Sequence, residues 1–214
     1  QRQMCIRDRV AEHCRYRLYD LETRLLADQS RRQRLAAARL CLITSPVPQL
    51  LEVVEQALKA GVRLVQHRSK LSDDLPRYQE ALALRDLCAA HGALFIVNDR
   101  VDLALAVESD GVHLGQGDLP PAQARRLLGP DRLIGRSTHA PVQLQQAMAD
   151  GCDYAGVGPL QATPTKPGRE PVGLDYLRQA TEMATIPHYA IGGVDAQLLP
   201  CLLYTSPSPR DSDQ

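Results

Sequence analysis

Ala60-Gly61-Val62 closes one helix-like stretch and opens a short apolar run. The same joint returns as His91-Gly92-Ala93, Asp110-Gly111-Val112 and Asp150-Gly151-Cys152, with a looser copy at Gly129-Pro130. Glycine just past a helix adopts the left-handed conformation at little cost, so each joint reads as a helix stop before a strand. Between Leu40 and Leu199 this repeat predicts strands near 40–44, 62–67, 94–98, 111–114, 133–137, 153–157 and 187–191. Helices near 49–60, 73–91, 100–108, 120–128, 140–150 and 173–184 fill the intervals. Strands alternating with helices of this size form parallel βαβ units. The expected fold is α/β: a TIM (β/α)8 barrel, truncated after the seventh strand and preceded by a helical segment. Such barrels place their chemistry at the C-terminal ends of the strands.

Outside the repeat the pattern changes. Leu18, Leu21, Leu25 and Leu26 recur at helical spacing, and a second stretch runs from Ser30 to Arg39, so residues 10–39 read as the helical end of an N-terminal extension. Residues 1–9 lack periodicity that continues into their neighbours, and the Ser/Pro run of 201–214 suits neither helix nor strand. Both are expected to be non-native segments flanking a barrel domain at 40–200. A complete barrel would need about 25 further residues after Pro200 for an eighth unit.

Composition narrows the function. Lys+Arg and Asp+Glu balance at 25 each, so no global charge points to nucleic acid or a membrane surface. Residues 1–40 carry ten arginines against five acids, which reads as a solvated helix face. Six cysteines without a CxxC pair suggest neither a zinc site nor a disulfide framework and fit a reducing cytoplasm. No apolar run approaches the ~18 residues that span a bilayer. Small molecules are the expected partners, and a homo-oligomer is compatible with the chain.

The polar strand ends supply the chemistry. Gln66, Arg68 and Lys70 alternate after the second strand, placing two cations and an amide on one face, suited to phosphate or to a solvated strand end. Asn98-Asp99-Arg100 follows the third strand and Gly115-Gln116-Gly117-Asp118 the fourth. Asp99 and Asp118 could share Mg²⁺ with a diphosphate, although Asp99 is equally suited to capping a helix. His113 is either a core histidine or a substrate contact, and Ser137 either holds a ligand or begins the next helix. The run Gly156 to Lys166 is rich in glycine, proline and hydroxyls, with Thr163, Thr165 and Lys166 as donors to an anion. Ile191-Gly192-Gly193 follows the seventh strand, where barrels often bind phosphate through backbone N–H groups.

Taken together, these runs resemble the thiamine-phosphate synthase family over about 160 residues, Leu40 to Leu199. The form with an N-terminal extension is the nearest likeness, through Tyr16-Arg-Leu-Tyr-Asp-Leu-Glu22. The resemblance implies a transferase that joins hydroxymethylpyrimidine diphosphate to thiazole phosphate, giving thiamine phosphate and pyrophosphate. Asp99 and Asp118 would hold Mg²⁺. Arg68, Lys70, Asn98 and Lys166 would bind the pyrophosphate, with Lys166, Arg68 and Ser137 closest to the chemistry. Gln66, Ser137 and His113 would address the pyrimidine, and Thr163, Thr165 and Gly193 the thiazole phosphate. Ser69 departs from the family pattern, as does Gln161, which stands where an aromatic is usual. Two other readings stay open: a thiazole tautomerase-like protein, and a truncated barrel that binds ligand without turnover.

Overall fold

Seven strands pair side by side in chain order, every neighbour parallel, in a computed structural model that describes residues 2–162, 170–195 and 197–198. The strands are β1 (Cys41–Ile43), β2 (Leu64–His67), β3 (Leu94–Asn98), β4 (Gly111–Leu114), β5 (Leu133–Thr138), β6 (Tyr154–Val157) and β7 (His188–Ala190). A long helix, α1 (Arg2–Ala37), precedes them. The crossovers are α2 (Leu50–Lys59), α3 (Asp74–Ala90), α4 (Val101–Ala106), α5 (Pro121–Leu128), α6 (Pro141–Ala149) and α7 (Gly173–Met183). This is an α/β, TIM-like barrel, nearly closed. Residues 201–214 lie outside the described residues.

Alternation along the strands divides the apolar residues into two layers. Val65, Phe95, Val97, Val112, Leu114 and Ile134 pack outward against Val54, Leu58, Ala81, Leu84 and Cys88 of the helices. Leu64, Leu94, Ile96, Leu133 and Tyr154 pack inward with Leu35 and Ala38, at and just beyond the end of α1. The end of α1 therefore fills the barrel at the strands' N-terminal side. Polar groups fix it there. Arg31 lies 3.4 Å from the Asp110 carboxylate and donates to the Asp131 carbonyl at 2.8 Å. Arg34 donates to the Ala93 carbonyl at 3.1 Å, and Arg32 lies 3.6 Å from Asp153.

Three expectations need correction. The basic segment is not wholly a solvated face, since these three arginines meet acids and carbonyls of the barrel. Residues 10–39 do not hold two helical stretches: one helix runs unbroken to Ala37. Gly111 is not a helix stop. It opens β4, where a Cβ would stand 2.1 Å from the Leu133 carbonyl oxygen, and the left-handed turn after α4 falls to Glu108 at φ 53°. Gly61, Gly92, Gly129 and Gly151 do take positive φ.

Candidate active site

The mouth at the C-terminal strand ends opens into a cavity of about 470 Å³. Gln66, Arg68, Asn98, His113, Ser137 and Gly193 line it, joined by Thr44, Ser45, His139, Pro159 and Ile191. Residues from positions 44 to 193 meet there because parallel strands in register bring each strand's end to the same rim.

Buried Gln66 donates from Nε2 to Asn98 Oδ1 at 2.6 Å, which fixes both amides at the junction of β2 and β3. Arg68 is set by its backbone. Its N–H donates to Thr44 Oγ1 at 2.9 Å, while the Thr44 N–H donates to the Gln66 carbonyl. Arg68 as a whole is half-buried and lines the cavity. Lys70 differs from the expectation: it is exposed and does not line the cavity. The physical reason is that β2 ends at His67, so strand alternation does not carry through to Lys70.

The two aspartates occupy loops after adjacent strands. Asp99 has φ 65° and its N–H donates to the His113 carbonyl at 2.8 Å, extending the β3–β4 pairing. The N-cap position of α4 falls to the next residue, Arg100, whose own side chain makes no capping bond. Asp118 turns one carboxylate oxygen back to the Gly115 N–H at 2.6 Å. Neither carboxylate lines the cavity wall, and among the described residues no cluster of three or more His, Cys, Asp or Glu gathers into a metal cage. Arg100 is committed elsewhere. It bridges Asp74 at 3.0 Å and Asp102 at 2.5 Å, and its guanidinium holds the Asp102 carboxyl down at about 2.

At the centre, His113 Nε2 lies 2.9 Å from Ser137 Oγ and Nδ1 lies 3.2 Å from the Tyr154 hydroxyl. Gln116 donates to the Ser137 carbonyl at 2.7 Å, holding the end of β5 to the loop after β4. On the far side, the Leu160 and Gln161 N–H groups donate to the Gly192 carbonyl at 3.0 and 3.1 Å. The two loops touch so closely that a Cβ on Gly193, at φ 74°, would stand 2.5 Å from Gln161 Cβ. Gln161 itself is exposed, outside the cavity lining. Thr163, Thr165 and Lys166 lie outside the described residues.

Sequence reading missed Thr44, His139 and Tyr154. Thr44 follows β1 directly, one position past Ile43, which pairs with Gln66, a signal the strand pattern held. His139 stands in the Ser137-Thr138-His139 run, and its Nδ1 meets the Gly158 carbonyl. Tyr154 stands in the Asp153-Tyr154 run of the family pattern, but nothing there signals its contact with His113.

The family described as thiamine monophosphate synthase matches residues 40–206. A thiamine-phosphate synthase of Gloeobacter violaceus is 57% identical over 194 residues, covering 91% of this chain and 57% of that protein. One from a Nostoc species is 54% identical over 187 residues, covering 87% and 53%. The chain thus spans little more than half the length of these relatives. A solved thiamine phosphate pyrophosphorylase from Pyrococcus furiosus superposes with a TM-score of 0.72 at 35% identity, covering 81% of this chain and 83% of that one. The family match over residues 40–206 and the shared barrel agree, and the chain belongs to the thiamine monophosphate synthase family.

Proposed function

We propose that this barrel joins hydroxymethylpyrimidine diphosphate to thiazole phosphate, releasing pyrophosphate and forming thiamine phosphate. One observation carries the reading: Gln66, Arg68, Asn98, His113 and Ser137, drawn from four strands' ends, converge on one cavity within the stretch that the family covers.

The chain's own groups suit the steps. Arg68, half-buried at the cavity, offers a planar guanidinium for paired contacts to diphosphate oxygens. Lys70 and Lys166 add positive charge toward the departing pyrophosphate. Gln66, His113 and Ser137 seat the pyrimidine, while Thr163, Thr165 and the Gly193 turn receive the thiazole phosphate. The apolar floor beneath His113 keeps water from the pyrimidinylmethyl cation that ionisation leaves, until the thiazole nitrogen captures it.

Asp99 and Asp118 fit Mg²⁺ by donor chemistry. Both are carboxylates, they follow adjacent strands, and a hard cation of this size takes one or two carboxylates beside water and phosphate oxygens. When bound, Mg²⁺ would neutralise charge that builds on the leaving diphosphate. The thiols of Cys14, Cys41, Cys88 and Cys152 are unpaired, in keeping with a reducing cytoplasm.

The test is turnover by the 214-residue chain with both substrates and Mg²⁺. Thiamine phosphate and pyrophosphate should form in equal amounts, and chelating the cation should stop both. A folded chain that yields neither would overturn the proposal.

A further inference from the structure

His113 is held from two sides, and the hold needs room that only glycine leaves. Tyr154 is 1% exposed, and its ring meets the His113 ring at 5.4 Å and the edge of Tyr189 at 5.7 Å. A Cβ on Gly135 would stand 2.2 Å from Tyr154 Cζ and 2.6 Å from His113 Nδ1. One on Gly156 would approach His113 Cε1 to 3.3 Å. Two bare strand positions thus let an imidazole and a phenol lie across the barrel.

The order of protons follows from counting donors. Burial raises the Tyr154 pKa well above its ordinary value, so the phenol is neutral and keeps one O–H. Among the described residues its hydroxyl bonds only to His113 Nδ1. Were it to accept a proton from Nδ1, its own O–H would be buried without an acceptor, at a cost of about 1–3 kcal/mol. It therefore donates, and Nδ1 accepts. A neutral imidazole then carries its proton on Nε2, which donates to Ser137 Oγ at 2.9 Å. The Ser137 hydroxyl proton is left to turn away from His113, and Ser137 lines the cavity.

We propose that Tyr154 is a positioning residue that locks His113 as the Nε2–H tautomer, so that Ser137 offers a donor to a ring nitrogen of the bound pyrimidine. The inference rests on the proposed function for the identity of that ring, while the tautomer itself does not. A donor at this point selects rings that present an acceptor and rejects those that present an N–H.

The experiment is ¹⁵N NMR of the histidine side chains in the intact chain, with His113 assigned by its loss in His113→Gln. The wild-type protein should show the Nε2–H form before any substrate is added. Tyr154→Phe keeps the ring packing, and in it the Nδ1–H form should appear. The KM of this variant for pyrimidine diphosphate should rise about tenfold, as the loss of one oriented hydrogen bond implies, with the KM for thiazole phosphate unchanged. An Nδ1–H tautomer in the wild type would overturn the proposal even if Tyr154→Phe failed to fold. So would a Tyr154→Phe protein with unaltered tautomer and unaltered KM. Absence of turnover with the Nε2–H form present would count against the proposed function and leave the relay standing.

Discussion

The Tyr189 hydroxyl donates to the Ala38 carbonyl at 2.9 Å, and it lies 3.3 Å from that of Leu35, joining β7 to the end of α1 across more than 150 positions. The last carbonyls of a helix have no partner within it, so an outside donor is stabilising there. Leu35 and Ala38 are buried at 2% and 5% exposure, which makes this joint part of the barrel floor. Tyr189→Phe should cost about 1 kcal/mol of stability. It should also speed amide exchange at the end of α1 more than in α3. Equal protection of the two helices in the variant would contradict this coupling.

Gly135 and Gly117 separate two uses of glycine. A Cβ at Gly135 runs into two buried rings, whereas one at Gly117 meets nothing within 4 Å. Gly135→Ala should lose about 1–3 kcal/mol in chemical denaturation. Gly117→Ala should stay within about 0.5 kcal/mol of the parent. Similar values for the pair would show that the interior yields around Gly135.

These glycines also mark how far the sequence can be read. The limits of β3 and β4 agree with the runs at 94–98 and 111–114, the first closed by Asp99 and the second preceded by Asp110. β2 begins two residues later than expected. Val62 belongs instead to the turn after α2, where its N–H bonds the Ala57 carbonyl at 3.0 Å, and an apolar residue in a turn looks the same in sequence as one in a strand. At the site, Gln66, Arg68, Asn98, His113 and Ser137 were legible because a parallel barrel sends every strand end to one rim. Lys70 lies past the end of β2 at His67, so strand alternation does not carry it to the cavity wall. Tyr154 was invisible, since its contact with His113 spans 41 positions and depends on the missing Cβ of Gly135.

His188 carries a pH dependence. Burial holds its pKa below the ordinary 6.5, against a weaker backbone contribution from Ile186. As pH falls, the unfolded chain takes up this proton first. Stability tied to neutral His188 is therefore complete above 6.5 and is lost as pH drops through the lower folded value. Urea unfolding of His188→Gln should show a smaller loss between pH 7.5 and 5 than the parent. Parallel losses in both proteins would remove His188 as a source.

Thiol chemistry should follow burial. Cys88 and Cys152 are buried, and desolvation pushes both up to about 12, while Cys14 on α1 is exposed. Only the thiolate reacts at useful rates. Alkylation at pH 7.5, read by peptide mass spectrometry, should label Cys14 and spare Cys88 and Cys152 until the chain unfolds. Labelling of either buried thiol at the rate of Cys14 would mean that the outer layer opens readily.

The most direct measurement is an equilibrium titration of hydroxymethylpyrimidine diphosphate, with Mg²⁺, into the parent chain, Arg68→Ala and Arg126→Ala. Arg68 lines the cavity, whereas Arg126 is exposed on α5. A charged hydrogen bond is worth about 1.5–3 kcal/mol, so Arg68→Ala should weaken binding by about tenfold or more. Arg126→Ala should bind like the parent. Equal affinity in all three proteins would contradict a diphosphate site at this mouth of the barrel.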